Sequence, residues 1–312
     1  MSASIVVSEL SKRYKGAAVP ALDGVGFAVE GGEIFGVVGP NGAGKTTLFG
    51  CLLGHLHFDG SVQVEGLDPR DPEARRHLGY VPERLTFEAW MKAEAFVGFH
   101  YDLSGMAPAG RAEAVSDALH KVGIDRVDWG KQVAKFSRGN LQRLALAQAI
   151  VARPQVLFLD EPTSGMDPLG VLRFKEIVRE LARGGCTVIF NSHQLAQVQD
   201  LCQRVLLLEK GQVLRVETLK QGHASNALDR FPYAIRWIGP KDAAERVKKV
   251  SDKLKLRMQA EGSEGVVLQV KDEAQGSQAL ALLVRAGVKV AQAGMQVKDL
   301  EQEFDQAYGR RP

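Results

Sequence analysis

The apolar positions of this chain follow two rhythms. Short continuous runs occupy residues 34–38, 156–159 and 187–190, the pattern of strands buried on both faces. Residues 3–9 and 26–30 alternate instead and predict strands on either side of a loop at 15–20. Residues 61–64 and 78–83 predict two more short strands, the second ended by Pro82. From Thr86 to about Gly130 the period turns helical, with Trp90, Phe96, Phe99 and Tyr101 interleaved. That stretch predicts a helical insert in an α/β domain, with a loop at 105–110 and an amphipathic helix at 111–122. A second helical run, 141–151, follows Ser137, a good N-cap residue. Residues 205–213 read as a hairpin.

After about Leu219 the character changes. Residues 223–229 are polar and linker-like. Beyond them the pattern predicts strand 233–238, helix 241–253, strand 255–260, strand 265–271, helix 275–286 and strand 288–294. That β-α-β-β-α-β order is the ferredoxin-like arrangement, and a last helix at 298–308 closes the chain.

Candidate chemistry enters at the end of the first buried strand. Gly39-Pro40-Asn41-Gly42-Ala43-Gly44-Lys45-Thr46-Thr47 matches G-x-x-x-x-G-K-[ST] between a strand and a helix start. Glycines let successive backbone N–H groups point at one anion, and the helix dipole adds positive potential there. Lys45 is placed for the β- and γ-phosphates of a nucleotide, the Thr46 hydroxyl for Mg²⁺, and Thr47 for the α-phosphate. The run 156–159 ends in two carboxylates, Asp160 and Glu161. At the carboxyl end of a parallel strand Asp160 can support the metal through water and Glu161 can polarise a water against the γ-phosphate. His193 comes after a similar strand, where it serves the γ-phosphate or only the structure. Tyr14, just after the first strand, either stacks on a purine base or is an ordinary surface tyrosine.

Composition narrows this little. With 45% hydrophobic and 25% charged residues in 312, the chain is an ordinary globular protein with room for two domains. A net charge of +3 gives no reason to expect nucleic acid. Three cysteines, Cys51, Cys186 and Cys202, form no C-x-x-C, so reduced thiols and a cytosolic compartment are expected. The first ten residues lack a signal-peptide pattern, and no apolar run approaches the roughly 18 residues that span a bilayer. Any membrane role is therefore expected to come through a partner.

Taken in order, the motifs resemble those of the ATPase subunit of ABC transporters over residues 1–219. Gly39–Thr47 resembles the Walker A loop, Leu157–Glu161 the Walker B strand with its catalytic glutamate, and His193 the switch histidine. Tyr14 falls where that family places an adenine-stacking aromatic. Phe136-Ser137-Arg138-Gly139-Asn140-Leu141-Gln142-Arg143 resembles the family signature, and Ser164-Gly165-Met166-Asp167 its D-loop. The resemblance implies a P-loop NTPase core of α/β class, with a mixed sheet, a helical subdomain at about 85–150, a linker at 220–230 and a small α+β domain at 231–312. It implies ATP and Mg²⁺ as cofactors. It also implies contacts to nucleotide from Gly39, Asn41, Gly42, Ala43, Gly44, Lys45, Thr46, Thr47, Ser137, Gly139 and Asp167.

Two positions depart from the family pattern. Glu83 stands at the lid position usually held by Gln, and Arg138 and Asn140 replace a Gly and the Gln of the signature. Both resemble the ABC-2 type exporter branch, as does the tail, where 297–304 loosely keeps that branch's closing pattern. The family closes the signature of one subunit over the P-loop of another. A homodimer powering a separately encoded permease at the cytoplasmic face of the inner membrane is therefore expected, with 84–91 as permease contact and no contact to the cargo. A soluble ATPase acting on a ribosome or DNA, and a weakly hydrolysing regulatory subunit, are the alternatives. The basic run 246–257 can meet anionic lipid, though Val247, Val250 and Leu254 make it better suited to be the solvated face of a packed helix.

Overall fold

The computed structural model describes residues 3–219, 231–238, 243–254, 256–260, 265–270 and 273–295. They fall into two units that divide between Leu219 and Lys220. The predicted helix 298–308, the pattern at 297–304 and the linker 220–230 lie outside the described residues.

The first unit opens with β1 (Ala3–Lys12), β2 (Leu22–Glu30), β3 (Ile34–Val38), α1 (Lys45–Leu52), β4 (Asp59–Val64), α2 (Pro72–Arg75) and β5 (Leu78–Val81). The helical insert comes next as α3 (Ala93–Leu103), α4 (Arg111–Lys121) and α5 (Arg138–Ile150). The chain then returns to the sheet through β6 (Val156–Asp160), α6 (Pro168–Arg183), β7 (Thr187–Asn191), α7 (Leu195–Leu201), β8 (Arg204–Glu209) and β9 (Gln212–Thr218). Six strands form the main sheet in the order β5-β6-β7-β3-β8-β9, parallel through β8 and antiparallel at β9. Every residue of β3, β6 and β7 is buried, which is why these strands are continuously apolar. A second, antiparallel sheet, β2-β1-β4, packs into the same core. Phe27 stacks on Phe35 with ring centroids 5.6 Å apart, and Phe49 of α1 meets Phe158 of β6 edge-on at 5.7 Å.

This topology positions the site. The central strands are parallel, so the carboxyl ends of β3, β6 and β7 share one edge of the sheet. In register, Asp160 pairs with Asn191, and Asn191 with Val37 just ahead of the glycine loop.

Helices α6 and α7 have no counterpart in the sequence-based expectations. Yet α6 carries an amphipathic pattern: Val171, Phe174, Ile177, Val178, Leu181 and Ala182 recur at helical spacing and are buried or half-buried. Its start is also well marked. Asp167 caps it by accepting from Gly170 N at 2.8 Å, and Pro168 occupies the first turn. Predicted strand 3–9 extends to Lys12, and 26–30 begins already at Leu22. Register shifts in their pairing interrupt the alternation on which those bounds rely.

The second unit contains β10 (Phe231–Trp237), α8 (Ala243–Lys253), β11 (Arg257–Ala260), β12 (Gly265–Val270), α9 (Glu273–Arg285) and β13 (Val290–Met295). Its strands lie in the order β11-β12-β10-β13, each neighbouring pair antiparallel. This is the ferredoxin-like arrangement. Val247 and Val250 of α8 share one apolar cluster with Ala279 and Leu283 of α9 and with Ile235 and Leu268 of the sheet.

Among the described residues no helix is long and apolar enough to cross a membrane. The three cysteines are free and buried. Burial pushes the Cys51 thiol up to about 11 and that of Cys186 to about 12, so neither is a thiolate near neutral pH.

Candidate functional site

The site begins where β3 ends. Gly39 leaves no room for a side chain, because a Cβ there would collide with the Leu208 carbonyl. Gly42 (φ 81°) and Gly44 (φ 107°) carry the loop through left-handed conformations, and Gly44 is the N-cap of α1. No side chain caps that helix and no acid lies in its first turn. The loop is tied down by Ala43 N to Pro40 O at 3.1 Å and by Gly211 N to Ala43 O at 2.9 Å. Lys45 Nζ donates to the Gly39 and Pro40 carbonyls at 2.6 and 3.1 Å.

A cleft of about 530 Å³ opens against this loop. One wall is Asn41, Gly42, Ala43, Gly44, Lys45, Thr46 and Thr47, with Ala21 beside them. The facing wall is Asp160, Glu161, Asn191 and His193, joined by Glu83 and Ser164. Asp160 is buried at the end of β6 and accepts a short hydrogen bond from Asn191 Nδ2. Burial raises its pKa, the charges of Glu83 and Glu161 push the same way, and Asn191 and Lys45 pull it down. Burial lowers the Lys45 pKa, opposed by Glu161, Asp160 and Glu83. Three carboxylates therefore surround one ammonium in a half-dry cleft, an excess of negative charge that suits a bound cation.

Glu161 sits one residue past the strand with φ 49°, a left-handed conformation uncommon for a side-chain-bearing residue. Its amide donates to Asn191 O at 3.0 Å. The carboxylate is held by His193 on two sides: Oε1 accepts from His193 N at 2.7 Å, and Oε2 lies 2.8 Å from His193 Nδ1. Ser192 Oγ adds a 3.4 Å bond to Oε2. Glu161 and His193, at the ends of two different strands in the sequence, thus form one unit.

The remaining expected residues lie outside the lining. Tyr14 is exposed beside the cleft, its hydroxyl 3.3 Å from Thr47 Oγ1 and its ring 5.4 Å from Lys12 Nζ. Gly39 shapes the loop from behind. Ser137 is exposed and caps α5, accepting from Asn140 N at 3.3 Å. A Cβ on Gly139 would meet only open space. Asp167 is exposed and engaged as the cap of α6. One copy of the chain does not bring Ser137, Gly139 or Asp167 to the lining of its own cleft.

Neither Asn191 nor Ser164 is among the site residues expected from the sequence. Asn191 is detectable in retrospect as the register partner of Asp160. Ala21, which lines the cleft by virtue of the fold alone, carries no such signal.

A strand–glycine loop–helix cradle opposite strand-end carboxylates defines a P-loop nucleotide-binding domain. Residues 22–164 match the family model described as ABC transporter. A second model, described as an AAA domain, matches residues 132–197, the half of the cleft that holds Asp160, Glu161 and His193. An uncharacterized ABC transporter ATP-binding protein of Methanocaldococcus jannaschii is 34% identical over 69% of this chain and 77% of its own length. A similarly named protein of Synechocystis sp. is 37% identical over 66% of this chain and 60% of its own. The first curated relatives are thus matched over 60% to 65% of their lengths. A solved ATP binding subunit of an ABC transporter superposes with a TM-score of 0.64 at 26% identity, covering 69% of this chain and 90% of that one. The fold is that of the ABC ATPases, a P-loop NTPase core with a mixed sheet and helices. The chain belongs to the ABC transporter ATP-binding protein family.

Proposed function

We propose that the chain binds and hydrolyses ATP as the energising subunit of an ABC-2 type exporter, working as a homodimer on a separately encoded permease. The supporting observation is the convergence in one cleft of the Lys45 loop, Asp160 and the Glu161–His193 pair. In this reading residues 1–219 are the nucleotide-binding domain, 85–150 its helical subdomain, 220–230 a linker and 231–312 an accessory domain. The loop amides from Gly42 to Thr46 and Lys45 hold the β- and γ-phosphates, Thr47 the α-phosphate, and Tyr14 the base.

Thr46 and Asp160 hold Mg²⁺ together with the phosphates. Among the described residues no group of three or more His, Cys, Asp or Glu could hold a metal. Two protein ligands completed by substrate oxygens suit magnesium. When bound, Mg²⁺ neutralises charge on the phosphates. Glu161 polarises the attacking water, and its bond to His193 Nδ1 leaves Nε2 of the ring for the γ-phosphate. Ser137 and the half-buried Gly139 at the start of α5, and Asp167, exposed at the start of α6, serve the cleft of a second copy.

Glu83 in the cleft and Arg138 in the signature support the exporter branch. Glu83 also favours a second reading, slow turnover in a regulatory subunit, because it places a third negative charge near the phosphates. The chain sits at the cytoplasmic face of the inner membrane through its permease and does not touch the cargo. Co-purification from membranes with a single permease is expected, together with ATP turnover that Lys45→Ala removes. A chain that hydrolyses ATP but never sediments with membranes, whatever permease is present, would contradict the transport role.

A further inference from the structure

Arg138 is the residue that the proposed function leaves without a task. It occupies the first helical position of α5, beside the Ser137 cap. A cation there opposes the helix dipole, so its presence calls for a compensating contact. The contact lies in the loop between Glu161 and α6. Arg138 Nη2 donates to Ser164 Oγ at 3.4 Å. The side chain also lies over Gly165, where a Cβ would run into Nε and the guanidinium carbon.

One turn further along the same helix face, Gln142 repeats the connection. Its Nε2 donates to Ser164 O at 3.4 Å, and the residue is 4% exposed. Two side chains of the signature helix thus hold one residue, from its hydroxyl and from its carbonyl. Ser164 in turn donates its amide to the carbonyl of Glu161 at 3.2 Å. From the other side Thr163 donates to Gln197 Oε1 of α7 at 2.7 Å, a buried bond. Ser164 thus bonds both to the signature helix and to the backbone of Glu161.

We infer that Arg138 is a positioning residue: by clamping Ser164 over Gly165 it couples the signature helix to the loop that sets Glu161. This rests on the hydrolytic reading of the cleft. Arg138 lies outside the cleft lining and so does not contribute to holding nucleotide in its own chain. Its loss should change turnover rather than nucleotide binding.

The test is Arg138→Ala in the full chain, read in two ways. In amide hydrogen exchange without nucleotide, peptides covering 161–167 should exchange on the order of fivefold faster, while those covering 39–47 stay as in wild type. In steady-state hydrolysis, kcat should fall by roughly 5- to 20-fold with KM for ATP within about twofold. Arg138→Lys, which keeps a donor for Ser164, should recover most of the rate. Should Arg138→Ala fold poorly, Ser164→Ala removes the acceptor on the loop side and should reproduce the faster exchange across 161–167. Wild-type exchange across 161–167 in Arg138→Ala overturns the clamp, as does a loss confined to KM. A wild-type chain without ATP turnover overturns the hydrolytic reading instead, and the exchange measurement then decides the clamp alone.

Discussion

Asp160 illustrates how the site is set at the scale of single residues. It is 4% exposed, and burial together with two neighbouring carboxylates raises its pKa. For an acid whose folded pKa lies above the unfolded one, the fold carries no penalty below the ordinary carboxylate range. The penalty grows as pH rises from there through the raised value. Asp160→Asn should therefore raise the thermal midpoint of the nucleotide-free chain at pH 7, and the gain should shrink as pH falls toward 4. Equal midpoints at pH 7 would show that the charge costs the fold nothing. Lys45 makes the opposite wager on function. It is the only lysine or arginine lining the cleft among the described residues. Lys45→Ala should weaken ATP binding by about 10- to 100-fold, the worth of a charge-assisted bond to phosphate, and equilibrium binding of a fluorescent ATP analogue would measure it.

At the scale of elements, the loops matter more than the strands that carry them. The three central strands announce themselves by unbroken apolar runs, and the glycine loop by residues with no other common use. Glu161 and His193 are legible as residues at strand ends. Their bond to each other is not, because it depends on β6 and β7 being neighbours, which no local pattern encodes. The helix α6 is legible locally, because Val171, Phe174, Ile177, Val178, Leu181 and Ala182 form an apolar stripe at helical spacing. The Asp167-Pro168 start marks it as well, and Asp167 also completes the D-loop pattern. Capping gives a test here. Ser137→Ala should cost the first unit about 1 kcal/mol in chemical denaturation, the usual worth of an N-cap. A variant as stable as wild type would mean that the Ser137–Asn140 bond is of no consequence to the fold.

At the scale of the whole molecule, half of what the family resemblance implies stays outside one chain. Ser137 is exposed and Gly139 half-buried, and both lie away from the cleft that they are proposed to serve. In the proposed homodimer a second copy supplies them, since each copy offers an open cleft and an exposed start of α5. With Mg²⁺ and ATP, Glu161→Gln should elute at the size of a dimer, while the nucleotide-free protein elutes as a monomer. A single monomeric peak under both conditions would remove the shared-site arrangement. The second unit is a different matter. Its β-α-β-β-α-β order is readable from short alternations of apolar strands and helices, yet nothing in that pattern names a ligand or a partner.

The energising role proposed for this chain depends on the cleft hydrolysing ATP through Glu161. The most direct measurement is phosphate release by wild type and Glu161→Gln, each with its ATP affinity determined in parallel. Wild type should turn over, Glu161→Gln should lose about 100-fold or more, and ATP affinity in the variant should equal or exceed that of wild type. Equal phosphate release from the two proteins would contradict a hydrolytic role for Glu161.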